Sequence, residues 1–392
     1  MAKGGGVTED LIFGGLVVTQ PSESIKKSVP CDAQSGGQAD NGKDSMQPLL
    51  RFTGSGWELF KLYIGNYILS ILTLGVYSFW ARAGVRRYLW RNIELFDENL
   101  EYTGTGGELF RGFLFAMLLG GLLLAGIYAS SLRIPFFGTV LLSITFVPIK
   151  HFASYQALRY RLTRTRWCGI RGNMDGSSIV YAVHGSGYTL LSLLTLFLCV
   201  PLETAKLTSK RLNAMFFGSR RVSFSGTSKP LFARWLWSYI LLILLAAVGV
   251  AVFFSLRDKG LDTIYDVPFH AGHSVIFLLL LVGGGGLGIS TIIYRAAAVR
   301  WTFEHLTFGA MRFDAKAYTA WGLLRLHVVN SILLLVTLGL AYPWTEIRSL
   351  RFFLSAVRYT GDSDVRGLLQ DTLPDRARSE GLLDALDVEI SL

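Results

Sequence analysis

The residues best placed for chemistry are polar and charged groups that interrupt or end long apolar runs. Ionisable side chains at membrane depth are costly to bury, so they suggest function. Glu203 is the first candidate, because it ends an apolar run where basic side chains are plentiful, and an ion pair with Lys206 or Arg211 would be its ordinary structural role. The remaining candidates lie near the ends of runs, where long side chains can reach the interface: Lys61, Lys150, His151, Arg325 and His327.

A second set of candidate residues recurs at a fixed spacing. The segment Asn66, Thr73, Gly75, Trp80 and Arg87 matches Asn330, Thr337, Gly339, Trp344 and Arg351. A third copy keeps Thr195 but has Tyr188, Phe197 and Leu202 in place of the Asn, the Gly and the Trp. Agreement at this spacing predicts an ancestral duplication, too imperfect to form a solenoid.

Three interpretations of the repeated residues stay open. In a structural one, Asn forms hydrogen bonds within a helical bundle, Gly allows a tight bend and Trp anchors at the interface. In a transport one, Asn66, Asn330 and the bent backbone line a polar path, as broken helices do in transporters. In the third, these segments bind lipid.

Other patterns argue against enzyme chemistry. No nucleotide-binding loop or nucleophile elbow is present. His270 and His273, which follow two aspartates, lack a third fixed metal ligand. The glycines at 283–286 indicate close helix packing or, alternatively, unwound backbone at a substrate site. The sequence therefore predicts no enzyme, no metal site and no cofactor.

The composition is that of a membrane protein. The chain has 392 residues, of which 51% are hydrophobic and only 17% charged, with a net charge of +10. Soluble domains carry about 25% charged residues. Because the basic residues flank apolar runs, the expected partners are the phospholipid bilayer and anionic lipid headgroups rather than nucleic acid. The candidate headgroup contacts are Arg82, Arg86, Arg87 and Arg351.

The apolar segments fall into two classes. Four are long enough to cross a bilayer, and three are shorter and interrupted. The long ones are 110–129, 134–154, 233–256 and 273–294, and the short ones are 62–80, 188–202 and 326–344. Both flanks of each short segment are basic, so seven spans would put basic loops on both sides of the membrane. We therefore prefer four spans and three re-entrant segments, with the basic loops and both termini in the cytoplasm.

A further motif, aromatic-x-Gly, precedes several apolar segments. It occurs at Phe52–Gly54, Tyr102–Gly104 and Phe224–Gly226, and begins again at Tyr359–Gly361. Short β-like stretches with turn residues lie upstream of several copies, and they predict small cytoplasmic β-hairpins.

The expected fold is an all-α polytopic membrane protein: a helical bundle with internal repeats, four clear spans, three short re-entrant or spanning segments and small β-hairpins. The expected domains are a disordered tail at 1–50, a membrane domain at 51–361 and a soluble tail at 362–392. Within the membrane domain the repeats cover about 57–104, 185–226 and 322–361.

The stretch from Asn66 to Trp80, with its following arginines and Tyr102–Gly106, resembles the bacterial YjgN family over about residues 50–360. The resemblance implies a multi-pass protein of the bacterial inner membrane and supplies no catalytic residues. The expected function is a structural envelope protein that interacts with lipid or partners. The alternative is a transporter or channel for a small solute or ion.

Overall fold

A computed structural model describes residues 46–131, 135–258 and 269–361. These residues form ten helices and eleven short strands. The helices are α1 Gly56–Leu72, α2 Ser78–Arg91, α3 Gly106–Ser131, α4 Pro135–Arg164, α5 Ser178–Leu194, α6 Val200–Asn213, α7 Lys229–Asp258, α8 Phe269–Glu304, α9 Ala320–Val336 and α10 Tyr342–Ala356. The strands are β1 Gln47–Pro48, β2 Leu50–Phe52, β3 Ile93–Leu95, β4 Glu98–Tyr102, β5 Thr165–Trp167, β6 Ile170–Met174, β7 Met215–Phe217, β8 Arg220–Phe224, β9 Leu306–Phe308, β10 Met311–Asp314 and β11 Arg358–Thr360.

From β2 onward the element order is strand, helix, helix, strand, and this order occurs five times. The first, third and fifth units contain the short helical hairpins α1/α2, α5/α6 and α9/α10. The second and fourth contain the longer helices α3/α4 and α7/α8. A tight β-hairpin turn joins each unit to the next. These turns lie at one end of the strands, and all the helical hairpins leave the sheet at the other end.

The strands form one antiparallel sheet that nearly closes on itself. Each strand pairs with its neighbours in sequence, in the order β1-β11-β10-β9-β8-β7-β6-β5-β4-β3-β2. Only Leu49 separates β1 from β2, yet β1 pairs with β11 while β2 pairs with β3. If β1 and β2 are counted as one segment, the sheet is a barrel-like ring of ten strands, which we call the strand ring.

The prediction of an all-α bundle with four clear spans is therefore wrong. Strands do occupy the two places where hairpins were predicted, but neighbouring hairpins also pair, as Tyr102 does with Thr165. Among the described residues, one helix, Gly106–Ser130, is long and apolar enough to cross a membrane. Apolar runs show where helices lie, whereas the pairing between distant hairpins leaves no local pattern in the sequence.

Helices of neighbouring units pack against each other in the same order in which the strands pair. Phe79 and Ala83 of α2 form a buried cluster with Leu109 of α3 and Tyr160 of α4. The last helix also packs against the first: the Tyr63 hydroxyl on α1 donates to Glu346 Oε2 on α10 over 2.7 Å. First and last units are thus joined in both the helical layer and the sheet.

The aromatic-x-Gly motif has a steric explanation in three copies, because the aromatic ring folds over the glycine two residues later. A Cβ on Gly54 would lie 2.5 Å from Phe52 Cζ, and one on Gly104 would lie 2.5 Å from Tyr102 Oη. Gly226 is covered in the same way by Phe224 and also by Trp301. A larger residue at these places, where the strand ends and the chain turns into the next helix, would force the covering ring to move.

The predicted tails lie mainly outside the described residues. Of the N-terminal tail, the structure describes only its last residues, where Gln47–Pro48 and Leu50 already belong to strands. The C-terminal tail at 362–392 is not described.

Candidate functional site

The three short hairpins share one turn conformation, and the repeated Thr and Gly residues form it. The two residues after each Thr have positive φ: 50° and 88° at Leu74 and Gly75, and 50° and 89° at Leu338 and Gly339. In the third, divergent copy of the repeat, Leu196 and Phe197 adopt φ of 50° and 66°. The left-handed conformation favours Gly, so Phe197 holds a costly backbone geometry there.

The repeated Thr joins the two helices of each hairpin through its hydroxyl. Thr73 Oγ1 donates to Leu69 O over 2.8 Å and accepts from Tyr77 N over 2.9 Å. Thr337 and Thr195 make the equivalent pairs of bonds. The hydroxyl thus satisfies a carbonyl of the first helix and an amide preceding the second, which is a structural role.

The repeated Trp packs against the first helical residue of the next unit. A Cβ on Gly106 would lie 2.6 Å from Trp80 Cα, and one on Gly56 would lie 2.5 Å from Trp344 Cδ1. Both Trp side chains remain 40% exposed. The Trp344 contact joins the last unit to the first.

The arginines predicted as headgroup contacts include two that bind backbone of the next unit. Arg87 Nη2 donates to Gly104 O over 3.4 Å, and Arg351 Nη2 donates to Gly54 O over 2.8 Å. Arg82 and Arg86 lie one turn apart on α2, and the Arg82 guanidinium stacks over Phe79. Headgroup binding by the four stays a prediction.

Asn66 and Asn330 are buried inside separate hairpins, each 8% exposed. Asn330 Nδ2 donates to Ser349 Oγ over 3.1 Å, whereas Asn330 Oδ1 and Asn66 Nδ2 have no hydrogen-bond partner. Among the described contacts no hydrogen bond joins the two asparagines, so the structure does not bring them into one site.

A polar cluster lies between the middle hairpin and α4, and it is formed by His151, Thr189, Ser192 and Glu203. Thr189 Oγ1 donates to Glu203 Oε1 over 2.8 Å, and Ser192 Oγ donates to Glu203 Oε2 over 3.1 Å. His151 Nε2 lies 2.9 Å from Thr189 Oγ1 and 3.9 Å from Glu203 Oε1. Three helices, α4, α5 and α6, thus meet at one carboxylate.

The hydrogen bonds of the polar cluster share the Thr189 hydroxyl. A Thr hydroxyl has one hydrogen, and Thr189 donates it to Glu203. The same oxygen lies within hydrogen-bond distance of His151 Nε2. His151, Thr189 and Glu203 are therefore joined in a continuous chain of hydrogen bonds.

Packing fixes the position of the histidine. His151 is 5% exposed and Ser192 2% exposed. A Cβ on Gly185 would lie 2.5 Å from His151 Cγ, so the imidazole lies directly on the α5 backbone. The pairing of Glu203 with Lys206 or Arg211 that the sequence suggested is replaced by this contact with hydroxyls and a histidine.

The sequence singled out Glu203 and placed His151 among the residues near run ends, but it missed Thr189 and Ser192. Hydroxyl residues within apolar helices are common, so their types alone carried no signal. The remaining metal candidate, His270 with His273, lies at the start of α8. The structure describes the backbone there but not the side chains. Within the described part of the chain, no group of three or more metal-ligating residues occurs.

The glycines at 283–286 lie inside α8, which is helical from Phe269 to Glu304. The backbone is therefore not unwound there, and the substrate-site interpretation of these glycines has no support from the fold.

One known protein resembles this chain over most of its length, and two others resemble about a third of it. The inner membrane protein YjgN of Salmonella typhimurium is 24% identical over 377 residues, which cover 85% of this chain and 94% of that protein. Proteins of the same name from Escherichia coli O157:H7 and K12 are 30% and 31% identical over 132 and 126 residues, covering 32% of this chain and 31% of each relative. No solved structure matches the chain.

The names of these relatives support an inner-membrane location, as the YjgN resemblance implied. A family model described as "Bacterial protein of unknown function (DUF898)" matches residues 47–385. This range includes all the described helices and strands. The chain therefore belongs to the DUF898 family of bacterial proteins.

Proposed function

We propose that this inner-membrane protein is a structural, lipid-interacting protein of the envelope whose helical hairpins contact lipid acyl chains. The observation that carries the proposal is the apolar surface at the tips of the three short hairpins. Leu74 is 95% exposed, Leu338 91% and Leu196 70%.

The residues beside the tips have the same character. Leu72, Leu194 and Leu335 are each at least 73% exposed. Fully burying a Leu side chain is worth about 1.5–3 kcal/mol relative to leaving it in water. Contiguous exposed apolar surface of this kind marks a contact with a membrane or a partner. In a protein of the inner membrane, lipid is the occupant that these tips favour.

The long helix α3 extends the same surface. Within its most apolar window only 11% of the residues are buried by the rest of the protein. Its outward side chains include Leu118, Leu122 and Leu124, each more than half exposed. An acyl-chain environment satisfies these side chains without any further protein contact.

The opposite end of the units is basic, which supports a cytoplasmic strand ring. Strand side chains alternate between the two faces of the sheet, and arginines recur on the outer face. These are Arg51, Arg166, Arg171, Arg221, Arg312 and Arg358. Fewer acidic residues share that face, so it suits the cytoplasmic side and anionic headgroups.

An ancestral duplication of the short hairpins accounts for their common design. Their turns have the same φ pattern, and the equivalent Trp and Arg of the first and last hairpins make the same contacts with the unit that follows. The divergent middle copy would then have lost the buried Asn and gained the polar cluster.

Photolabelling in native membrane vesicles tests the lipid contact directly. A diazirine that partitions into the hydrocarbon core labels only side chains in contact with acyl chains, and mass spectrometry maps the labels. We expect labels on residues 71–76, 193–198, 335–340 and 106–130. The outer strand residues, which are also exposed, serve as the internal control and should stay unlabelled. Tips labelled no more than these strands would overturn the proposal.

A second candidate function, transport of a proton or small cation, is favoured by one observation. The polar cluster places a carboxylate, two hydroxyls and an imidazole in a continuous hydrogen-bonded chain where α4, α5 and α6 meet. Such groups are typical of proton relays in membrane proteins.

A further inference from the structure

The strand ring contains a cavity of about 310 Å³ that is partly open to its surroundings. Side chains from strands all around the ring form its wall, among them Leu95, Leu100, Val222, Phe308 and Met311. Among the described residues that line the cavity, only Thr165 carries a hydroxyl group. Its hydroxyl is already used, since it accepts from Trp90 Nε1 over 2.9 Å and donates to Arg161 O over 2.8 Å.

The number of strands explains why the cavity exists. Rings of about eight strands have an interior that side chains can just fill or that holds one small ligand. Ten strands make a wider ring, and here even Phe and Met side chains leave space at the centre. Protein interiors are normally packed with few voids larger than a water molecule, so a cavity of this size calls for an explanation.

Water is a poor occupant of this cavity. A buried water needs about two to four polar partners. The indole of Trp167, the other lining group with a hydrogen to donate, gives it to Leu95 O over 3.0 Å. With these groups satisfied, the wall offers hydrocarbon and aromatic surface only, and such cavities stay dry or take up apolar molecules.

An arc of aromatic rings covers the end of the cavity that faces the β-hairpin turns. Phe96 lies 5.1 Å from Tyr359 and 5.8 Å from Trp167, and Trp167 lies 6.0 Å from Phe217, measured between ring centroids. Phe96 has a φ of 51°, a conformation that costs energy in a residue other than Gly. Phe96 and Asp97 form the two-residue turn between β3 and β4, in which both residues have positive φ, and Phe96 lines the cavity.

We propose that the cavity binds one alkyl chain, supplied by a membrane lipid or a free fatty acid. Its volume is at the lower end of the roughly 300–1,000 Å³ of small-molecule sites. It is also about twice the volume of a dry apolar cavity of about 150 Å³ that accepts benzene. The lumen runs from Leu162 and Leu306, near the helices, to Phe96 and Phe217 at the turns, so it suits an elongated apolar guest.

This inference deepens the lipid-interacting function and rests on it for the source of the chain. The two can nevertheless fail separately. Photolabelling of the hairpin tips requires a bilayer, whereas occupancy of the cavity is measured on full-length protein held in an amphipol, without a bilayer.

The binding test uses radiolabelled laurate in one arm and a phospholipid in the other. The first variant, Val222→Phe combined with Leu100→Phe, fills the lumen. Its matched control, Ser223→Phe combined with Glu101→Phe, adds the same rings at the neighbouring, exposed positions on the outer face. We expect saturable binding at one chain per protein for wild type and control, and about tenfold weaker binding for the filled variant.

The two arms identify the source of the chain. Laurate binding with no phospholipid binding assigns a free fatty acid, and the reverse assigns a lipid. The absence of saturable binding in both arms, or equal binding by the filled variant, would overturn the proposal.

A second measurement remains informative if the filled variant does not fold. Laurate carrying a nitroxide quenches tryptophan fluorescence only at short range. We expect part of the fluorescence to be quenched in the wild type and this part to be lost in Trp167→Phe, which keeps an aromatic ring in the arc. Quenching that is unchanged in Trp167→Phe would place the chain elsewhere.

Discussion

Glu203 accepts hydrogen bonds from two hydroxyls of α5, and one of these hydroxyls also contacts a histidine of α4. The carboxylate therefore joins the two helices of the middle unit to α4 of the unit before it. Buried polar groups that lose a partner cost about 1–3 kcal/mol each, because water cannot replace the lost bond. The stability of this unit should accordingly depend on one side chain.

We predict that Glu203→Gln destabilises the protein by about 1–3 kcal/mol. The amide of Gln presents one acceptor oxygen, so either Thr189 or Ser192 must lose its acceptor. The control is Glu101→Gln on the exposed face of β4, which should change stability by no more than about 0.5 kcal/mol. Thermal unfolding in detergent measures both, and equal melting temperatures would contradict the role of the polar cluster.

The same two variants test the transport alternative. In proteoliposomes with a proton gradient, transport through the polar cluster requires that wild type and Glu101→Gln conduct and that Glu203→Gln does not. No flux in any of the three would leave the lipid-interacting function alone.

Part of the polar cluster could be predicted from the sequence. A Glu at the end of an apolar run is conspicuous, whereas Thr189 and Ser192 resemble the many hydroxyl residues that bond to their own helix. The contact with His151 crosses 38 positions of sequence, and nothing local indicates it. Asn66 and Asn330 were predicted to be equivalent positions from their spacing, whereas their burial in separate hairpins required the structure.

At the scale of elements, the short turns between the helices determine the form of the three hairpins. Each turn takes two consecutive residues through positive φ directly after the Thr that ends the first helix. The spacing of Thr, Gly and Trp in the sequence marks this turn because its contacts are local: a hydroxyl cap, a left-handed glycine and an aromatic ring at the third residue of the next helix.

Gly75→Ala should destabilise the first hairpin by about 1 kcal/mol. A Cβ at Gly75 would meet nothing within 4 Å, so the cost comes only from its φ of +88°. Gly65→Ala is the matched control, because Gly65 lies within α1 and a Cβ there also meets nothing within 4 Å. The helical Gly65→Ala should be neutral or stabilising by up to about 1 kcal/mol. Chemical unfolding of both variants gives the comparison, and a Gly75→Ala as stable as Gly65→Ala would refute the assignment of the turn.

The strands show what local signals leave undetermined at this scale. Stretches of three to five residues such as Ile93–Leu95 and Glu98–Tyr102 can be recognised as a hairpin from their turn residues. Their second partners, β2 and β5, are set by how the intervening helices pack. The short segments between the apolar runs, which their sequence alone suggests are loops, therefore form a sheet in which each β-hairpin pairs with the next.

For the whole molecule, closure of the strand ring is the decisive feature. The pairing of Pro48 with Arg358 brings the first strand to the last, and the contact of Gly56 with Trp344 repeats the closure among the helices. Both involve segments at opposite ends of the described chain. Contacts of such sequence separation are costly in chain entropy, and they form only when the units between them have the correct curvature.

A designed disulfide tests this closure. Pro48 and Arg358 are Cα partners in an antiparallel pair, whose Cα separation of about 4.5–5.5 Å lies within the range that a disulfide spans. We expect Pro48→Cys with Arg358→Cys to form a disulfide on mild oxidation, seen as one cross-linked peptide by mass spectrometry. The linked protein should also be stabilised by about 2–4 kcal/mol, because the bond closes a very long loop in the unfolded chain.

The control pair is Pro48→Cys with Arg312→Cys. Arg312 lies on β10, with β11 between it and β1. Two strand spacings amount to about 10 Å, beyond the reach of a disulfide. Cross-linking in the first pair alone requires that β1 and β11 be neighbours, as a ring demands. If neither pair cross-links, the two ends of the sheet are apart in the folded protein, and the cavity within the ring could not exist in the form described.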